Sequence, residues 1–212
     1  MISDYIFQNN SYCYYCGKNK IDDMFLCNNC LSRLDRVDNH TFIMDTEVFY
    51  PYFYDDIMKN MIRDYKFERI TAYAHIFSEM ILQFDKRTNL FKDYDYLIPA
   101  PMHEKKKRKR GFDHIRLISD MFIKETNLIY FNSLIKSKST KSQHDLNKFE
   151  REDNLKEAFE FKDDKSLEGK SILIFDDIVT TGNTLREIRE VLYTRNPKKV
   201  SALTLTSSGK VI

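Results

Sequence analysis

Glycine and proline are scarce in this chain, five and four residues in 212, and it contains neither a low-complexity tract nor an internal repeat. Collagen-like and Pro/Gly-rich disordered architectures are thereby excluded. Long apolar runs are missing too, so no helix that crosses a bilayer is expected. Met1 to Tyr12 is polar and lacks the basic start and apolar core of a secretory signal, which makes a soluble cytoplasmic protein the expectation. Net charge is nearly absent, at +2 with 31% of residues charged, so any attraction to nucleic acid has to be local. The length suits one well-buried α/β domain with a small extra module, and two large domains would not fit.

Cysteine is confined to one short window, as Cys13-Tyr14-Tyr15-Cys16-Gly17 and, after ten intervening residues, Cys27-Asn28-Asn29-Cys30. Each pair can present two thiolates to one ion from a tight turn, and two pairs complete a tetrahedral zinc site. Two disulfides are disfavoured in a cytosolic chain, and a redox role would need only one pair. Zinc with four thiolates has no open position, so here it is expected to fold the module and not to catalyse. Tyr12, Tyr14, Tyr15 and Phe25 could stack bases, but packing as the module's small core is favoured. The expected division is 1–44 for a four-cysteine, zinc-ribbon-like module with a linker helix, and 45–212 for the α/β domain.

The segment Ser171 to Thr184 reads Ser-Ile-Leu-Ile-Phe-Asp-Asp-Ile-Val-Thr-Thr-Gly-Asn-Thr. Ile172 to Phe175 has no polar alternation, as in a central parallel strand buried on both faces. Asp176 and Asp177 sit at its carboxyl end, where open α/β sheets bind ligands. Thr180, Thr181, Gly182, Asn183 and Thr184 open a helix with Leu185, Ile188 and Leu192 on one face, so its first amides can hold a phosphate.

Other elements follow from pattern. Glu47 to Tyr54 suits a strand that Pro51 confines to an edge or hairpin. Asp55 caps a helix with Ile57, Met61, Ile62 and Tyr65 on one face. Ile70 to Phe84 keeps helical spacing, with His75 off the stripe and exposed. Tyr94 to Pro101 is a short strand, Met102 to Gly111 a loop, Phe112 to Glu125 a helix, Ile129 to Ile135 a further strand, and Val200 to Thr206 the last. Alternating strands and helices argue for a mainly parallel central sheet flanked by helices. The loop carries Lys105, Lys106, Lys107, Arg108, Lys109 and Arg110. Facing the acid pair, these cations suit either a pyrophosphate or the phosphates of single-stranded nucleic acid. A solvated surface run is the plainer reading. A second basic segment, with Lys136, Lys138, Lys141 and Lys148, suggests a lid or a flexible excursion, and His144 within it is not assigned a catalytic role.

The strand, acid pair and Thr-Thr-Gly-Asn-Thr turn resemble the PRPP (phosphoribosyl pyrophosphate) motif of type I phosphoribosyltransferases. That resemblance implies that Asp176 and Asp177 contact the ribose hydroxyls, that Thr180 to Thr184 wrap the 5-phosphate, and that magnesium accompanies PRPP. Thr180 stands where the 6-oxopurine enzymes have an acid for the base nitrogen, which argues against hypoxanthine-type salvage. The wider order is more specific: the four-cysteine module, Pro99-Ala100-Pro101-Met102-His103, the basic run with Arg110-Gly111-Phe112-Asp113, Thr140 to Leu146, Arg151 to Asn154, Ala158-Phe159 and the acid motif. Together these resemble the ComF family over nearly the whole chain. The resemblance implies a cytosolic protein of natural competence that handles incoming single-stranded DNA with the helicase-like ComFA as partner. No residue identifies an acceptor, so whether the pocket turns over is left open.

Overall fold

The computed structural model describes residues 11–137 and 158–209. The second basic segment beyond Ser137, with Lys138, Lys141, His144 and Lys148, lies outside the described residues, as do Thr140 to Leu146 and Arg151 to Asn154. Six strands form one sheet: β1 Arg36–Ile43, β2 Thr46–Phe53, β3 Tyr96–Pro99, β4 Ile129–Tyr130, β7 Ser171–Val179 and β8 Lys199–Ser207, in the order β1-β2-β8-β7-β3-β4. Only the β1–β2 pairing is antiparallel. Two short strands, β5 Leu134–Lys136 and β6 Phe159–Phe161, pair separately. The helices are α1 Asn28–Leu31, α2 Asp56–Arg63, α3 Tyr73–Thr88, α4 Glu104–Arg110, α5 His114–Phe122 and α6 Asn183–Tyr193.

The apolar run of β7 divides its side chains between two cores, as the period of a strand requires. Leu173 and Phe175 join Met58, Phe77, Phe84, Ile115 and Phe122 from α2, α3 and α5 on one face. Ile172 and Ile174 join Leu185, Ile188 and Leu192 of α6 on the other. Asp55 caps α2 by accepting from the Met58 amide at 2.7 Å, and His75 is exposed, as expected.

Two expectations need correction. Residues 36–43, read as part of a linker, form β1, which pairs with β2 and so joins the main sheet from before residue 45. Its polar side chains misled because an edge strand has few positions to bury. Pro51 lies in a hairpin strand, as expected, and β2 is interior, between β1 and β8. The register breaks opposite it, between Arg36 and Asn39, and a bulge is where a strand tolerates proline. Finally, the loop expected at Met102 to Gly111 is mostly the helix α4. His103 caps it by accepting from the Lys105 amide at 3.0 Å, Glu104 sits in its first turn, and Gly111 closes it with φ 90°. Four cations in its last turn favour the carbonyl end of the helix dipole.

Candidate functional site at the carboxyl end of the sheet

Because β3 and β7 run parallel with Pro99 opposite Phe175, the segments that follow them leave from the same end of the sheet. α4 follows β3, and the turn 180–182 follows β7, which carries the acid pair near its carboxyl end. The two carboxylates, adjacent in sequence, have different surroundings. Side chains alternate along a strand, and Asp177 is only 5% exposed while Asp176 is half-buried.

Asp177 meets the Lys66 ammonium, and the Nε2 of His114 lies 3.2 Å from the same carboxylate oxygen. Burial pushes the Asp177 carboxyl up, but Lys66 and His114 outweigh it and hold the group well below the usual carboxylate range. It is an anion at neutral pH. Asp176 moves the other way: burial and the charge of Asp177 raise it to about 7, against the pull of Lys66. The pair therefore holds one charge firmly and a second that comes and goes near neutrality. Burial lowers His114 to about 4 despite Asp177, so it is a neutral imidazole whose Nε2 faces the Asp177 carboxylate. Its buried Nδ1 has no hydrogen-bond partner among the described residues.

Lys66 comes from a π-helical turn, Asp64–Glu68, that extends α2 and ends on Arg69 in the left-handed region. Such turns recur at functional sites because the widened backbone re-aims its side chains. The Tyr65 hydroxyl donates to the His114 carbonyl at 2.7 Å, which ties the turn to the start of α5.

The basic run divides between two sides of α4. Lys106 and Arg110, one turn apart, are partly buried, Arg110 near Asp177 and Lys106 near Arg110 and Lys136. Burial lowers the Arg110 guanidinium, and the nearby Asp177 opposes the shift. Burial also lowers Lys106, with Arg110 adding to the effect. Lys136 at the end of β5 completes the group: burial and Lys106 bring its ammonium down to about 8 while Asp176 resists. Lys105, Lys107, Arg108 and Lys109 are exposed and face away.

In the turn, Thr180 and Thr181 are exposed, Gly182 and Asn183 are buried, and Thr184 is half-buried. Gly182 has φ 72° at the N-cap of α6, and a Cβ there would stand 2.5 Å from the Ile43 side chain. Both constraints call for glycine. Asn183 is 7% exposed and its side-chain amide nitrogen has no partner among the described residues, so a buried donor is left over there at the helix start. Unpaired buried donors are costly unless a ligand takes them. The arrangement therefore offers carboxylates, a helix start with a spare donor, and partly buried cations, a set that suits a sugar bearing phosphates.

The four cysteines meet at a separate place. Their sulfurs all lie within 4.8 Å of one another, and Cys16 and Cys27 are 3.8 Å apart with all four thiols free. Four thiolates at about 2.3 Å from one zinc stand about 3.8 Å apart, so the donor set fits a tetrahedral ion. Burial pushes the Cys16 thiol up, but the Lys18 and Asn19 amides and neighbouring thiols bring it to about 6. The Asn19 side-chain amide also donates to the Cys27 sulfur at 3.6 Å. Gly17 takes φ 64° and donates its amide to the Cys13 carbonyl at 2.8 Å. Tyr14, Tyr15 and Phe25 pack against the main core, and Tyr12 is exposed.

Among the residues foreseen for the site, the acid pair and Arg110 are brought together, Lys106 lies beside Arg110 and Lys136, and the other four cations of the run are exposed. Lys66 and His114 were missed. His114 had a faint signal in the Arg110-Gly111-Phe112-Asp113 string that precedes it, whereas nothing local marks Lys66.

The sequence profile of the Phosphoribosyl transferase domain matches residues 131–210. Over 186 residues the chain is 26% identical to Competence protein F of Haemophilus influenzae, covering 85% of this chain and 78% of that one. It is 24% identical over 184 residues to DNA utilization protein YhgH of Escherichia coli, covering 85% and 77%. It is 28% identical over 165 residues to Competence protein ComFC of Bacillus subtilis, covering 74% and 62%. Among solved structures, a hypoxanthine phosphoribosyltransferase from Staphylococcus aureus aligns with a TM-score of 0.36 and 18% identity over 63% of this chain and 62% of that one. The chain is thus a relative of these competence and DNA utilization proteins with a phosphoribosyltransferase-type domain.

Proposed function

We propose that this protein handles incoming single-stranded DNA in natural competence and carries a pocket for PRPP or another ribose 5-phosphate. The relatives' names support the first part, since they are competence and DNA utilization proteins. One observation carries the second: Asp176 and Asp177 lie near the carboxyl end of β7, which leads through Thr180 and Thr181 to the left-handed Gly182 and to the buried Asn183 at the start of α6, whose amide nitrogen has no partner among the described residues. In this reading the ribose hydroxyls bond to the acid pair and the 5-phosphate to residues 180–184. A pyrophosphate leans toward Lys106, Arg110 and Lys136. Asp176 is the carboxylate free of an ion pair in the described structure, which suits magnesium, an ion bound through one or two carboxylates plus substrate phosphates. When bound, magnesium neutralises the ligand's pyrophosphate.

Catalytic phosphoribosyl transfer is a second reading, favoured by the cations Lys106, Arg110 and Lys136. Charge grows on a departing pyrophosphate, so cations fixed beside it stabilise the transition state more than the ground state. The four cysteines hold a structural zinc in this proposal, the cell compartment is the cytoplasm, and a ComFA-like helicase is the partner.

Calorimetry tests the pocket. Wild type is expected to bind PRPP with magnesium, and the double variant Asp176→Asn/Asp177→Asn to lose that binding. Equal affinity in the double variant overturns the assignment. Release of pyrophosphate in the presence of candidate acceptors separates transfer from binding.

A further inference from the structure

Phe67 departs from the use made of its neighbours in the π turn. Tyr65 is buried, Lys66 lies on Asp177, and Phe67 between them and Arg69 is 62% exposed. The turn that carries it is fixed at both ends. The Tyr65 hydroxyl bonds to the His114 carbonyl, and the Arg69 guanidinium donates to the Lys109 carbonyl at 3.2 Å. Phe67 is thereby held beside α4, with the Arg110 guanidinium carbon 5.8 Å from its ring centroid.

A single exposed aromatic ring is ordinary on a protein surface. This one adjoins the carboxyl end of α4 through Arg110 and the Arg69–Lys109 bond, and Lys105, Lys107, Arg108 and Lys109 of that helix are all exposed. Lys107 meets Glu104 only at 4.0 Å, and among the described residues Lys105, Arg108 and Lys109 have no carboxylate within ion-pairing distance. Glu68 and Glu104 are the exposed acids on these two segments, against four exposed cations on α4 and Arg69 on the turn. Surplus cations beside a fixed aromatic ring form the combination that binds single strands, because the cations follow phosphates while any base can stack on the ring. A duplex keeps its bases stacked inside and cannot use the ring in this way.

We propose that Phe67 is a base-stacking platform and that the outward side of α4 is the adjoining phosphate track for single-stranded DNA, while Lys106 and Arg110 on the inward side serve the pocket. The inference rests on the DNA-handling reading and adds where the strand lies. It also places the strand beside the mouth of the ribose-phosphate pocket, since Arg110 adjoins both Phe67 and Asp177.

Fluorescence anisotropy with a labelled oligothymidylate and a labelled duplex tests it on the full chain. Phe67→Leu is expected to weaken single-strand binding roughly tenfold, with duplex binding and the thermal midpoint unchanged. Neutralising Lys105, Lys107, Arg108 and Lys109 to glutamine is expected to flatten the salt dependence of single-strand binding by about 0.7 in log–log slope for each phosphate that is no longer neutralised. Wild-type binding that neither variant alters overturns the track and leaves the DNA-handling reading intact. A wild type that binds no single strand overturns both.

Discussion

The cysteine cluster and the carboxyl end of the sheet are both sites built from polar groups, yet they are assembled in opposite ways. The four sulfurs come from one short stretch, held by tight turns with local amides directed at the thiols. The acid site takes its strand end from β7, its anion holders Lys66 and His114 from a π turn and the start of α5, and its cations from α4 and β5. A cluster closed by its own ligands suits a structural ion. The acid site keeps an unpaired donor on Asn183, a proton on Asp176 near its balance point and cations in excess of acids, and such leftovers suit a ligand that comes and goes.

The largest effect that would break this contrast is expected at the cysteines. Metal analysis should find one zinc per chain, and Cys30→Ser or a chelator should unfold the N-terminal module, because a structural zinc supplies about 10–16 kcal/mol in small modules. A chelated protein that melts with the untreated one would mean that the module does not depend on an ion. At the acid site the effect should be smaller. Lys66→Met removes the counter-ion of a carboxylate that is 5% exposed, and such losses cost about 3–5 kcal/mol. Chemical denaturation should show that loss, with most of it restored in Lys66→Met/Asp177→Asn. If the second substitution restores nothing, the ion pair is not what holds the turn in place.

The smallest effect is a pH dependence. Asp176 has a folded pKa of about 7, above its ordinary 3.8, so between these values the folded chain binds more protons than the unfolded one. Its contribution makes stability fall as pH rises through that window. His114, lowered to about 4, gives the opposite slope from there up to its ordinary 6.5. The two oppose each other in acid, and Asp176 alone acts just below neutrality. Asp176→Asn should therefore raise the thermal midpoint relative to wild type at pH 8, with an advantage that is clearly smaller at pH 5 and gone only below the ordinary 3.8. A gap of the same size at both values would show that Asp176 does not titrate near 7.

Much of this was readable along the chain wherever the parts are consecutive. The cysteine spacing, the strand with its acid pair and turn, and the Asp55 cap each depend on neighbours a few residues away. The helix α4 was not readable. Six successive cations repel one another in an isolated helix, and here His103 and Gly111 cap the helix while Arg110 lies near Asp177 of β7. The strand β1 was hidden for a related reason, since β2 supplies its ladder and its own composition does not.

The sequence by itself determined that two carboxylates end a buried strand before a helix start, and that four thiols could close on one ion. Strand period, cap chemistry and ligand spacing are local properties. Only the tertiary structure decided which carboxylate is the anion and which cations reach it. A carboxyl group's charge depends on its burial and on the ions around it, and here those ions include Lys66, which is far from Asp177 in sequence and comes beside it only when the π turn packs against α5.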